Sequence, residues 1–187
     1  MAMIELLAAL SASAAAGMRI AIPLLVIGLL QGDNLWSSVP LLSRIPPPFI
    51  MAILTSWSLI EVFGSKKLLG QRVLQIVQLL FSPIVGTIMA IAAAKATIVP
   101  TWLIGVIGGF FAFVLQLVQA GWFYRWRGLP LWVVFVQDIL GVSLVFFAVK
   151  APQLGGIIAL ILLGLAFRSY KELHRWYLRQ QSSEERR

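Results

Sequence analysis

The stretch LWVVFVQDILGVSLVFF, residues 131–147, is an apolar run broken by one acid, Asp138, after Gln137. Residues 49–64, FIMAILTSWSLIEVFG, repeat the pattern with Glu61. Both read as membrane helices. A charged group in hydrocarbon costs roughly 2.5 to 3.5 kcal/mol on insertion scales, so an acid there needs a reason to be retained. Glu61 and Asp138 are also the only acids between Asp33 and Glu172. They are the first candidates for a solute or ion site.

The rest of the chain fits a membrane setting. Of 187 residues, 60% are hydrophobic and 12% charged, against about a quarter charged in soluble domains. Mean hydropathy is +0.92. Apolar segments run from about Met3 to Leu30, Pro48 to Gly64, Pro83 to Val99, Pro100 to Phe123, Pro130 to Val149 and Pro152 to Phe167. The expected fold is all-α, with six transmembrane helices in a single domain, 1–167, and a basic tail, 168–187. Five segments open on proline, whose missing N–H costs nothing in a first turn. The N-terminus, MAMIELLAAL, lacks a basic region and reads as the start of the first span.

Orientation follows from charge. With the tail in the cytoplasm, eleven basic residues lie inside and only Arg44, Lys95 and Lys150 outside. Six spans then put both termini in the cytoplasm. Trp36 and Trp102 fall at the outer boundary, and Trp122, Trp126, Trp132 and Trp176 at the inner one. The net charge of +8 gathers at span ends, which suits anionic headgroups at the cytoplasmic face and not nucleic acid.

The segment 66–82 differs. Gln71, Gln75, Gln78 and Ser82 share one helical face, and Leu74, Val77, Leu80 and Phe81 occupy much of the other. This is an amphipathic helix, lying at the interface or lining a polar interior. The tail repeats the pattern with Arg168, Lys171, Arg175 and Arg179.

A three-plus-three inverted repeat is expected, with halves 1–99 and 100–167. PIVGTIMAI (83–91) and PQLGGIIAL (152–160) share proline, glycine, isoleucine and alanine at equal spacing. Such repeats are a common plan for transporters. Gly17 and Pro23, Pro83 and Gly86, and Pro152 and Gly155 are the candidate helix breaks.

Asp138 lies eight residues past Pro130, about 12 Å along a helix and beyond easy reach of headgroups. Gln116, Gln119 and Gln137 are its candidate neighbours. Glu61 lies about a turn from the inner end, near Lys66 and Lys67, so an interfacial ion pair explains it equally well. Arg19 follows SASAAAG (11–17), whose small residues permit close helix approach. It could bind an anion, pair with an acid or snorkel outward.

Several chemistries are excluded. There is no Cys, so neither disulfides nor thiolate metal sites can form. His174 is the only histidine, which rules out multi-histidine metal sites and haem bis-ligation within one chain. The spans hold no histidine base for a serine, and no phosphate loop is present. No catalytic residue, metal or cofactor is expected.

Ala16-Gly17-Met18-Arg19, Glu61 followed by Lys66, Pro83-Ile84-Val85-Gly86, and Asp138-Ile139-Leu140 leading to Val149-Lys150-Ala151-Pro152 occur in that order. In this the chain resembles the small integral membrane proteins of the four-one-two-six domain-of-unknown-function family. Ser65, Ser82 and Gln137 stand where that pattern carries charged residues. The resemblance implies the architecture and no activity. The reading is a small channel or transporter, as a homo-oligomer because six such spans make a thin wall. The alternative is a structural or assembly subunit of a larger membrane complex.

Overall fold

The structure, a computed structural model, describes residues 2–31, 44–64, 68–94, 99–126 and 128–184. Expectations resting on Trp36, Lys66, Lys67, Lys95 and Arg127, and on the side chains of His174, Trp176 and Arg179, lie outside what it describes. Among the described residues there are seven helices and no strand: α1 (Ala2–Met18), α2 (Ala21–Gln31), α3 (Pro47–Gly64), α4 (Leu68–Ala94), α5 (Thr101–Trp126), α6 (Leu131–Lys150) and α7 (Pro152–Glu184). Five of them, α3 to α7, are long and apolar enough to cross a membrane.

The first apolar segment departs from the single span expected of it. It forms two helices, of 17 and 11 residues, that part at Arg19 and Ile20. Pro23 sets the break. In a continuous helix its ring would strike the carbonyl of Arg19, four residues back, and it has no N–H to offer that carbonyl.

Contacts along the helices give their directions. Ala9 clusters with Ala90, Ala94 and Ile104. Ser13 Oγ donates to Gly86 O at 3.3 Å, so α1 descends α4 towards its start. Ser11 Oγ donates to Leu144 O at 2.7 Å and Arg19 meets Asp138, so α1 is also antiparallel to α6. With Gln119 bonded to Gly17, it is parallel to α5. Beyond the break the direction reverses. Pro23 lies against Gly141, further along α6 than Asp138, whereas a straight continuation of α1 would have carried it towards the start of α6. Leu24 and Ile27 share a core with Ile50 and Leu54 of α3. Thus α1 and α2 form a helical hairpin whose tip is Arg19–Ile20. The tip reaches the level of Glu61, three residues before the end of α3.

The hairpin also separates the two proposed halves. α5, the expected counterpart of the first segment, is one unbroken helix.

Residues 8–21 are buried without interruption. The reason is size. Ala12, Ala14, Ala15, Ala16 and Gly17 present almost no side chain, so α4, α5, α6 and α7 all close on α1. A Cβ on Gly17 would stand 2.8 Å from the carbonyl oxygen of Ala112. A Cβ on Gly86 would stand 2.9 Å from that of Gly108.

The separate amphipathic helix expected over 66–82 and the span expected from Pro83 are one helix, α4, with Pro83 inside it. A proline costs an apolar span only one backbone bond, and packed neighbours tolerate the bend. The glutamine face is the interior one. Gln71, Gln75, Gln78 and Ser82 are buried, while Val73, Ile76, Leu80 and Phe81 are exposed. Such an outside is apolar enough to meet lipid, and the glutamines of the polar stripe are bonded within the bundle.

Candidate functional site

The hairpin tip gathers the charged side chains of the interior. Glu61 of α3 is 0% exposed. Its Oε1 accepts from Gln78 Nε2 at 3.0 Å and its Oε2 from the Ala21 N–H at 3.3 Å. The Ile20 N–H donates to it as well. The first N–H groups of a helix lack intrahelical partners and carry the positive end of its dipole. Glu61 supplies what α2 lacks: a carboxylate from another helix caps its N-terminus.

Arg19, 4% exposed, stands between the two acids. Its Nη1 donates to the Glu61 backbone carbonyl at 3.4 Å. Its Nε lies 3.0 Å from Asp138 Oδ1, a charge contact without the alignment of a hydrogen bond. The Asp138 side chain keeps 23% of its surface exposed. The sequence ranks Asp138 as buried and Glu61 as interfacial, and the structure reverses that order. The distance of Glu61 from its helix end misleads, because α2 and α4 cover it.

Amide side chains surround the cluster. Gln116 Nε2 donates to Gln75 Oε1 at 3.2 Å and to Gln78 Oε1 at 3.4 Å. Gln119 Nε2 donates to the Gly17 carbonyl at 3.1 Å, one of those freed where α1 ends. Gln137 Nε2 donates to Gln119 Oε1 at 3.1 Å. Towards the start of α4, Gln71 Nε2 donates to Leu129 O, and the Leu129 N–H donates back to Gln71 Oε1. A cavity of about 20 Å³, lined by Arg19, Gln71, Gln75, Gln78 and Gln137, lies within this array. That is room for about one water molecule. Gln116 Oε1 and Ser82 Oγ are buried without a partner.

The structure therefore brings Arg19, Glu61 and Asp138 together, with Gln119 and Gln137 on one side and Gln116 on the other. Gln71, Gln75 and Gln78 join them, although the sequence marks those three only as a polar face. Their four- and three-residue spacing on an otherwise apolar helix is the signal that finds them. Among the break candidates, Gly17 and Pro23 flank the hairpin turn. Pro83 and Gly86 sit within α4, Pro152 opens α7, and Gly155 packs on Ser11. Among the described residues no three of His, Cys, Asp and Glu converge as metal ligands.

One comparison decides the family. The model of the family described as Domain of unknown function (DUF4126) matches residues 6–172. The chain belongs to that family. The match takes in the hairpin from Leu6 onward and every residue of the charge cluster, so the site lies within the matched region. No match was found among curated proteins or among solved structures.

Proposed function

We propose that this DUF4126 protein is a small carrier or channel for an ion or small polar solute, and that the hairpin tip is its site. One observation carries the reading: a broken helix holds an arginine between two carboxylates inside an apolar bundle and rests its freed N-terminus on one of them. Helix ends and unwound backbone at depth are how transporters present polar groups to a solute without exposing them to lipid. Charged residues held inside spans mark ion and substrate paths for the same reason.

The accompanying topology has five spans and a re-entrant hairpin in place of six spans with a three-plus-three repeat. Five crossings put the start of α1 and the tail of α7 on opposite faces. The basic residues near the ends of α5 and α7 make the tail face cytoplasmic. Since the chain has no cysteine, single cysteines can test this. Met3→Cys should react with an impermeant maleimide from outside, and Gln181→Cys only after permeabilisation. Labelling of both from the same side returns the six-span plan.

The function is tested in proteoliposomes. Wild type should move at least one solute from a broad ion and metabolite panel. Asp138→Asn should abolish that flux while leaving the thermal midpoint in detergent nearly unchanged. A wild type inert across the panel sinks the proposal. The assembly-subunit reading draws on α3, of which only 17% of the apolar window is buried. It predicts a fixed partner on purification in mild detergent.

A further inference from the structure

The charge cluster is unequal. It holds one guanidinium and two carboxylates, so with both acids ionised it carries a net charge of minus one inside an apolar bundle. Around Asp138, α1 contributes Arg19, and α3 contributes Glu61 through that arginine. α2 contributes no ionisable side chain. α4 contributes Arg72, exposed near its start, and α5 and α7 contribute none before Arg125, exposed near the end of α5, and Arg168, exposed midway along α7. No other described cation supplies the missing charge.

The two acids differ in what holds them. Both oxygens of Glu61 accept from fixed donors, Gln78 and the first N–H groups of α2. Those donors suit a carboxylate and leave a proton no acceptor of its own. Asp138 has one charge contact, no aligned hydrogen bond at Oδ1, and part of its surface open. Beside the cluster is the water-sized cavity, reaching from Arg19 to Gln71 and Leu129 at the α4 start. Fully buried Gln116, with an unpartnered Oε1, bonds two of the glutamines that line it. A metal cation would have to sit against Arg19, whereas a proton on Asp138 removes the excess charge without adding volume.

We propose that Asp138 is an exchangeable proton site and that the proton is the coupling ion of the carrier. This inference rests on the carrier reading for its use, and on the cluster alone for the binding. A proton leaves water at the inner end of the bundle and forms an O–H bond on the Asp138 carboxylate. Arg19 is then released to pair with Glu61 alone, in a neutral cluster. Deprotonation draws Arg19 back to Asp138. The arginine sits at the hairpin turn, so the exchange acts directly on that turn.

The binding is read without flux. The chain has two aspartates, Asp33 and Asp138, so aspartate carrying ¹³C in an Asp33→Asn background labels Asp138 alone and leaves the site intact. Infrared difference spectra of the purified full-length protein between alkaline and acidic buffer should show a protonated-carboxyl stretch, shifted by the label and lost in Asp138→Asn. A band that ignores the label, or no band, overturns the inference. The flux arm separates it from the carrier reading. Solute uptake in proteoliposomes should be driven by an imposed pH gradient, with that drive lost in Asp138→Asn. Uptake indifferent to the gradient overturns proton coupling and leaves the carrier reading standing. A labelled band in a protein that moves no solute keeps the proton site and removes the carrier.

Discussion

α1 and α3 are apolar helices of nearly equal length, 17 and 18 residues, in opposite surroundings. α1 is buried on every side from Ala8 onward, whereas α3 buries only Ile50, Leu54 and Glu61. Their hydropathy does not explain this. α3 carries Phe49, Ile53, Leu59, Ile60 and Phe63 on its exposed surface, larger than the Ser, Ala and Gly that fill α1 from Ser11 to Gly17. In lipid no hydrophobic force drives helices together, so the side chains that let backbones approach take the centre. Small residues go in, large ones face out, and the polar groups follow the small ones. The one buried polar residue of α3, Glu61, touches the tip of the hairpin.

The largest effect should come from cutting that polar link. Glu61→Ala leaves Gln78 and the α2 N-terminus facing an empty carboxylate position, while the Arg19 bond to the backbone carbonyl remains. Each buried donor left unsatisfied costs about 1 to 3 kcal/mol. Unfolding in mixed micelles, followed by circular dichroism, should show a loss of that order, with Glu61→Gln retaining part of it. A loss below about 1 kcal/mol would mean that Glu61 is effectively an interfacial residue, and the contrast between α1 and α3 would lose its polar half.

Next come the close approaches of α1. Gly17→Leu places a side chain against the Ala112 carbonyl and Leu115, and overpacking of this kind costs about 1 to 3 kcal/mol or more. A Cβ on Gly164, in α7, would meet nothing within 4 Å, so Gly164→Leu should leave the unfolding midpoint in place. Equal effects at the two glycines would break the claim that size decides position.

These two variants also mark what can be read from the chain itself. The small-residue run 11–17 and the acids at 61 and 138 stand out in the sequence, because each violates the composition around it. The helical class, the apolar spans and the polar face of α4 follow from periodicity. The reversal at Arg19 does not. Pro23 reads equally as a kink, a break or a first-turn proline, and only the packing of α2 on α3 and α6 selects the hairpin. The depth of Glu61 is hidden for the same reason, since counting residues to a helix end cannot register a second element folded over it. The glutamines could be placed on a face, but which face meets lipid is decided by what the other helices offer.

A smaller effect is expected at the hydrogen bond tying α1 to α6. Ser11 Oγ donates to Leu144 O at 2.7 Å between helices, and such bonds in membrane bundles average about 0.6 kcal/mol. Ser11→Ala should therefore shift the unfolding free energy by under about 1.7 kcal/mol. It should leave helicity unchanged, since the bond joins helices and supports neither one internally. A larger loss would assign α1 a polar grip on the bundle in addition to its small size.

The smallest effect should fall on α3. Phe49 and Ile53 are 66% and 62% exposed, and lipid replaces whatever contacts their side chains give up. Phe49→Ala and Ile53→Ala should each change the unfolding free energy by no more than about 0.5 kcal/mol, as for surface positions away from packed features. The measurement gains its force from being made twice, once in detergent with monomeric protein and once in bilayers. If both values stay small, the face of α3 meets lipid and the centre built on α1 is self-sufficient. If the variants are neutral in detergent but costly in bilayers, and cross-linking across that face falls with them, large side chains on α3 are packing against another chain. Side-chain size would then sort residues within one chain, while the outward face of α3 served assembly, and the homo-oligomer or a fixed partner subunit would be the arrangement to pursue.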